Sequence, residues 1–568
     1  MKKYLLLFLI TVIVNSSGAL AQKPVRVTYK TIVNGREMPG ATRNFIESDG
    51  VAVKLSATPR DPDRKEMPAP VQSSYIDLAG RRYIRLADMP DGTRISTVMS
   101  FTDMPVAELT GEKEIIAGYE CMKTRLTWFS NTIEIWYTED AGVAGTPVPA
   151  YSVPEGLVLR VVRNGNNVTE AEKVEQFRKG DLKISLPADP GTVVDVMAFE
   201  HYMREAFVTT ITVFDNEVIN WEGEVSNPSF GQADVLYRFA GGTVILKKVM
   251  LPQVHDLYTL FAEVTQYSAG DAYDRTGTVF VIPQGDPLTF LDGLTGGHTE
   301  LPLYTDRHGK EYRGVAATEV YQPPVELVRF FTPFGVRHFN DRRTVPGLTW
   351  QDSAFYRQDI THYLPLLCGE VWIGAFIGNY DRGGHRLSLR IKYYPETREL
   401  EPESSGERWI SSLFNTLPIM EMAGQQYGTM FDGDTLSVCV EIPEGVKDLY
   451  MVYITTGHGG WGGGDEFNQK LNELFVDGRK VWSYIPWRSD CGTYRLFNPS
   501  SGNFWNGLSS SDYSRSGWCP GSLSEPLIIP LNGLTPGTHT ISVTVPLGKP
   551  AGSSFSHWNI SGVLVGSF

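Results

Sequence analysis

An all-β fold, built as sandwiches or jelly rolls, is what this 568-residue sequence predicts. Three observations carry the prediction. Short stretches rich in β-branched and aromatic residues recur along the chain, and Leu387-Ser388-Leu389-Arg390-Ile391-Lys392-Tyr393 alternates as one buried and one wet face require. Helical periodicity is nearly absent. The 56 glycines and 35 prolines supply the many turns that short strands need.

From the N-terminus, Lys2 and Lys3 precede an apolar run over 5–14, and Ala19-Leu20-Ala21 follows as a small-residue cleavage pattern. The run is too short to span a bilayer. The expectation is a signal peptide over 1–21 and an exported, soluble protein, periplasmic or secreted, without a membrane anchor. Strands are predicted over 26–33, 132–138, 157–163, 278–283, 387–395, 449–456 and 538–546. The best helical pattern lies over 170–179, with Thr169 as N-cap and Glu172 three residues on. Leu186-Pro187-Ala188-Asp189-Pro190-Gly191 reads as a linker, and a polar, unpatterned stretch divides the remainder near residue 400. Three units follow: a β-rich N-terminal unit over 22–190 and two jelly rolls over 191–398 and 399–568.

Composition narrows the function classes. With 51 Lys+Arg against 65 Asp+Glu the net charge is −14, and no basic block occurs, which argues against a nucleic-acid or anionic-membrane partner. There is no Gly-x-Ser-x-Gly elbow, phosphate loop, His-Glu-x-x-His or Cys-x-x-Cys. The ten histidines are scattered, so a histidine-bound metal would need long-range assembly. No metal or organic cofactor is expected. A hydrolase made from these residues would more naturally use carboxylates.

Three stretches concentrate chemistry. Thr455-Thr456-Gly457-His458-Gly459-Gly460-Trp461-Gly462-Gly463-Gly464-Asp465-Glu466 follows a strand and holds His458, Trp461 and Glu466 on a loop that lets a ligand approach closely. By itself it reads better as a long flexible hairpin loop with solvated acids. Gly270-Asp271-Ala272-Tyr273-Asp274-Arg275 leads into a strand and by position alone is a surface turn. Arg515-Ser516-Gly517-Trp518-Cys519-Pro520-Gly521 packs a cation, an indole and a cysteine into a turn-rich loop, equally a disulfide-anchored surface feature.

Taken together, these residues resemble the bacterial peptide N-glycosidase F family over about 245–568. Arg-x-Gly-Trp-Cys-Pro-Gly at 515–521 is the most specific piece. Tyr273-Asp274-Arg275, Arg329-Phe330-Phe331-Thr332-Pro333-Phe334, Asp359-Ile360-Thr361 with Leu366-Leu367-Cys368-Gly369, and Glu466 fall in the same order. The N-terminal stretches Ile116-Ala117-Gly118-Tyr119-Glu120-Cys121, Ile133-Glu134-Ile135-Trp136-Tyr137-Thr138 and Pro154-Glu155-Gly156-Leu157-Val158-Leu159 resemble exported bacterial half-barrel domains, either a bowl that positions a glycoprotein or a stability module.

The resemblance implies two eight-stranded antiparallel jelly rolls with the active site in the cleft between them. It implies an amidase that hydrolyses the bond between an Asn side chain and the innermost N-acetylglucosamine of N-glycosylated proteins or glycopeptides. Asp274 and Glu466 match the catalytic acids, with Arg275 expected to keep Asp274 ionised. Tyr273, Tyr380, Asp381, His458, Trp461, Arg515 and Trp518 are expected to meet substrate. Cys491 and Cys519 match a family disulfide; Cys121, Cys368 and Cys439 are expected to be buried thiols. Gly378 stands where the family has a third acid and Tyr380 where it has a tryptophan, with Asp381 near enough to substitute. A monomer is expected. The rival readings are a non-catalytic carbohydrate-binding jelly roll and a copper monooxygenase, for which clustered His ligands are missing.

Overall fold

The computed structural model describes residues 23–37, 44–57, 70–151, 155–223, 225, 227–254, 258–395, 408–459, 463–550 and 554–568. The expected signal peptide, Trp461 and the boundary at 398/399 lie outside the described residues. The chain forms two compact units, one ending at Phe207 and one running from Val208 to Phe568. No helix among the described residues is long and apolar enough to cross a membrane.

The first unit is one 13-stranded sheet. Val25–Val33 lies within it, antiparallel to Asn44–Ser48 on one side and Asn167–Gln176 on the other. The expected helix over 170–179 is therefore a strand. Its residues pair from Val25–Gln176 to Val33–Asn167, with a register shift at Thr28/Tyr29, and its other edge pairs with Leu157–Arg163. Two ladders outweigh a weak local helix preference, because strand propensity depends on context. Val25, Val27, Tyr29, Ile46 and Leu159 form the core on one face. The unit continues past residue 190: Thr192–Val193 pairs in parallel with Ile95 and Ser96, and the helix Val196–Glu205 buries Phe199 and Met203 against Ala87 and Ile95. Asp195 caps that helix by accepting from the Ala198 N–H.

The second unit holds two jelly-roll-like sandwiches. In the first, Thr209–Ile219, His385–Pro395, Tyr258–Ser268 and Ala354–Asp359 make a four-stranded sheet. It faces a six-stranded sheet centred on Gly369–Ile377, Thr276–Ile282 and Val325–Phe331. Val325–Phe331 is buried throughout. The second sandwich stacks the sheet of Arg408–Asn415, His557–Ser567, Lys447–His458 and Leu527–Pro530 on that of Leu436–Ile442, Gly537–Thr544, Asn472–Val476 and Arg479–Tyr484. Its core is aliphatic and aromatic, with Met451, Leu474, Ile541, Trp558 and Leu564 almost fully buried.

The sandwiches are stitched together where the site stands. Leu523–Ser524 adds to the first sandwich's six-stranded sheet beside Arg329 and Phe330. Arg329, wholly buried, pairs with the equally buried Glu326 and donates to the Asn559 carbonyl and the Thr456 hydroxyl across the junction. Removing one partner of such a pair would strand a buried charge, at a cost of about 3–5 kcal/mol.

Candidate functional site

Asp274 lies between two strands of the first sandwich, Tyr258–Ser268 and Thr276–Ile282. Its backbone is fixed from both sides. The Arg275 N–H donates to Thr332 Oγ1 at 2.8 Å, and the Thr332 N–H returns a bond to the Arg275 carbonyl. Asp271 is the turn's buried anchor. It accepts from Arg275 Nε at 2.7 Å and from the Tyr273 N–H at 3.0 Å, with His385 Nε2 at 3.5 Å. Burial pushes its carboxyl up, but His385 and Arg275 prevail and hold it at about 2. Arg275 is thus hydrogen-bonded to Asp271, while its charge acts on Asp274 in the expected direction, favouring the ionised form.

Glu466 comes from the loop after Lys447–His458 in the second sandwich. The residue before it does the anchoring: Asp465 is wholly buried and accepts from Trp558 Nε1 at 2.8 Å and from the Gly548 N–H at 3.0 Å. The Ser516 N–H donates to the Glu466 carbonyl, which fastens this loop to the one carrying Arg515.

Arg515 joins the two acids. Its Nε donates to Glu466 Oε1 at 2.9 Å and its Nη2 to Asp274 Oδ2 at 3.1 Å. Nη1 donates to the Ser510 carbonyl at 2.7 Å. The side chain is 1% exposed and lies 4.7 Å from the Trp518 ring and 5.1 Å from that of Phe467. A planar guanidinium with fixed donors can hold two carboxylates at set angles, which lysine cannot. The acids and Arg515 line a cavity of about 360 Å³, with Tyr273, Phe504 and Ser554 in its wall.

Burial and charge act on both acids. Burial raises Glu466 first; Arg515 opposes this, Asp274 adds to it, and the outcome is a pKa of about 7. Burial also raises Asp274, against the pull of Arg515 and Arg275. Both carboxyls are thus held above their ordinary values, and near neutral pH the site offers a proton on Glu466.

A third carboxyl reaches the same region from an unexpected place. A Cβ on Gly378 would lie 2.8 Å from Oε1 of Glu421, a residue on the segment after Arg408–Asn415. Glu421 Oε2 accepts from the Tyr427 hydroxyl at 2.9 Å, and that hydroxyl lies 2.9 Å from the Tyr380 hydroxyl. Glu421 Oε1 is buried without a hydrogen-bond partner among the described residues, and burial raises this carboxyl. The ring of Tyr380 is 5.5 Å from the Arg275 guanidinium, so this cluster adjoins the Asp274 turn. Sequence reasoning missed Glu421 because nothing local marks it: its only signal is the empty Gly378.

Other expectations need correction. Asp381 does not replace the acid missing at Gly378; its Oδ1 caps a turn, accepting from the N–H groups of Gly383 and Gly384 at 2.7 and 3.1 Å. His458 and Trp518 are buried and do not line the cavity. The Trp518 ring stacks on Phe331 at 4.2 Å and its Nε1 donates to the Gly457 carbonyl, while His458 is packed among Phe331, Trp518 and His557. They form the packed wall behind Arg515. Tyr273, in the wall of the cavity, and Tyr380 are exposed. Cys491 and Cys519 are joined as a disulfide. Cys121 is a buried thiol, but Cys439 is exposed, because it occupies an outward position of the alternating strand Leu436–Ile442. Among the described residues no cluster of three or more His, Cys, Asp or Glu is placed to hold a metal ion.

Three family models match the chain. They are "Peptide-N-glycosidase F, N terminal" over residues 210–393, "Peptide-N-glycosidase F, C terminal" over 426–565, and "N-glycanase peptide, N-terminal domain" over 27–201. Two solved structures of PNGF-II are 39% identical to it; both cover 96% of this chain, and 99% and 98% of their own is covered, with TM-scores of 0.82 and 0.81. The glycosylasparaginase PNGase F of Flavobacterium meningosepticum is 15% identical over 63% of this chain and 96% of its own, at a TM-score of 0.41. No curated protein matches.

Proposed function

This chain belongs to the peptide-N-glycosidase F family, and from that premise we propose that it hydrolyses the amide joining an asparagine side chain to the innermost N-acetylglucosamine of N-glycoproteins and glycopeptides. The observation that carries the reading is the pair of carboxylates, one from each sandwich, held on the single guanidinium of Arg515 in one cavity.

The two acids divide the work. Water attacks amides poorly unless a base aligns it and takes its proton. Asp274 serves as that base; burial raises its carboxyl, and the charges of Arg515 and the more distant Arg275 favour its ionised form. Glu466, with a pKa of about 7, gives its proton to the departing amide nitrogen. The carbon–nitrogen bond breaks, the peptide keeps an aspartate and the sugar leaves as a glycosylamine. Arg515 keeps the two acids in register, since its donors are occupied by them and by Ser510. Glu421, with Tyr427 and Tyr380, is a positioning group for the first sugar. The lysines, apolar run and small residues at the N-terminus support an exported enzyme, where N-glycoproteins of other cells would be met.

The test is to incubate the protein with a denatured N-glycoprotein and to map each sequon by mass. Conversion of Asn to Asp at the glycosylated positions is expected. Glycan binding without that conversion would instead make this a carbohydrate-binding protein.

A further inference from the structure

The catalytic cavity is small, about 360 Å³, while a cavity of about 910 Å³ lies in the same unit beside Tyr427 and Phe555. We propose that this larger cavity receives the oligosaccharide arm of the substrate, the sugars beyond the innermost N-acetylglucosamine; the proposal rests on the function stated above.

Continuity is the first ground. Ser554 lines the catalytic cavity and the next residue, Phe555, lines the larger one. Tyr427 lines the larger one too, and its hydroxyl reaches Glu421 and Tyr380. A sugar chain leaving the acids therefore meets this wall one residue away.

Chemistry is the second. Phe555 is 41% exposed, yet its ring is held at 5.5 Å from Tyr427 and 5.8 Å from His557. A fixed aromatic face that stays open to solvent suits the apolar face of a pyranose. The lining also carries polar groups already oriented. Asp306 Oδ1 accepts from the N–H groups of His308 and Lys310, each at 2.9 Å, and Lys310 Nζ donates to Thr429 Oγ1 at 2.6 Å. Preorganised groups lose little freedom on binding. Asp306 and Asp432 balance Lys310 and Lys549 around the cavity, which fits a neutral polyhydroxyl ligand. By contrast, the cavity that shares Asn503 with the catalytic one is lined by Arg342, Arg343 and Arg495, a setting for anionic groups. The volume is within the usual range of roughly 300–1,000 Å³ for ligand sites, too large for one ring alone.

The experiment compares one glycopeptide carrying a complete high-mannose glycan with the same peptide trimmed to a single N-acetylglucosamine. Full-length wild type, Phe555→Ala and Lys310→Met are assayed on both. On the complete glycan each variant is expected to raise KM by about tenfold with kcat held, since a lost ring contact is worth about that factor. On the trimmed substrate the change in KM is expected to stay within about twofold. A wild type that cleaves only the complete glycan also supports the proposal. Equal changes on both substrates, no change on either, or an effect that follows peptide length would overturn it. If wild type cleaves neither substrate, the assigned reaction fails, and titration with free high-mannose oligosaccharide still reads the cavity. Binding weakened by Phe555→Ala then supports the proposal; no binding by wild type refutes it.

Discussion

Gly378 and Glu421 are complementary: the first leaves out a side chain and the second puts a carboxyl oxygen 2.8 Å from where that Cβ would be. One sandwich supplies the space and a connection between two strands of the other supplies the acid. The three carboxyl groups of the site thus come from positions 274, 421 and 466, and only the fold of the second unit brings them together. Tyr427 ties Glu421 to Tyr380, so the glycine, the acid and the two phenols act as one group.

Gly378→Ala tests this directly. Gly378 follows the strand Gly369–Ile377 and has no positive φ, so alanine meets no backbone strain there. Its methyl would collide with Glu421 Oε1 and must push the carboxyl aside. We expect kcat/KM to fall by about tenfold while Tm changes by only a few degrees, as an acid is moved and no core is lost. Combined with Glu421→Gln, the losses should not add, because both act on the same carboxyl. Fully additive losses in that cycle would separate the two residues.

Asp274→Asn and Glu466→Gln keep size and an acceptor for Arg515 while removing one acid each. Each should lower kcat by about 10²–10⁴-fold. Affinity for glycopeptide should hold in Glu466→Gln, whose proposed role is in the bond-breaking step. If that variant raised KM and kept kcat, Glu466 would be a binding group.

The strands were legible because their signals are local. The alternation in His385–Pro395 and the β-branched run in Leu157–Arg163 mark strands without any knowledge of partners. Asn167–Gln176 was not legible, since its partners at Val25–Val33 lie more than a hundred residues away and its local pattern suits a helix. Asp274, Glu466 and Arg515 stood out through family motifs. Their geometry did not: that Arg515 and not Arg275 touches Asp274 follows from the turn in which Asp271 captures Arg275. His458 misled because an aromatic on a glycine-rich loop suggests a ligand platform, and Trp518 because the family motif implies a place at the cleft; both stack on Phe331.

The raised pKa of Glu466 makes both stability and activity depend on pH. Its ordinary value is 4.5 and its folded value about 7. Between these the folded protein holds a proton that the unfolded chain releases, so this contribution to stability is complete below about 4.5 and is lost as pH rises to about 7. Glu466→Gln cannot release that proton. The urea midpoint of the variant, relative to wild type, should therefore be higher at pH 8 than at pH 4. Wild-type kcat should fall above about pH 7 as the donor deprotonates. An identical midpoint difference at both pH values would place the Glu466 pKa at its ordinary value.

The disulfide between Cys491 and Cys519 encloses the segment that carries the Phe504 wall and Arg515. It spans 28 residues, many of them Gly and Ser. Closing such a loop removes freedom mainly from the unfolded chain, so replacing both cysteines by serine should lower stability by roughly 2–4 kcal/mol. Activity should suffer less at low temperature, because Arg515 has a second set of restraints. It exchanges two backbone hydrogen bonds with Arg488, at 2.8 and 3.0 Å, and Trp518 Nε1 donates to the Gly457 carbonyl at 3.0 Å. The double variant should thus keep most of its kcat at 20 °C, a temperature about that of standard stability measurements, and lose activity earlier on heating. Alkylation provides the internal control. In the native protein the exposed Cys439 should be labelled first and the buried Cys121 only on unfolding, with Cys491 and Cys519 protected until a reductant is added. Labelling of Cys491 or Cys519 in native, non-reduced protein would show the loop to be open, and the restraint of Arg515 would then rest on hydrogen bonds such as its backbone pairing with Arg488 and the Trp518–Gly457 bond.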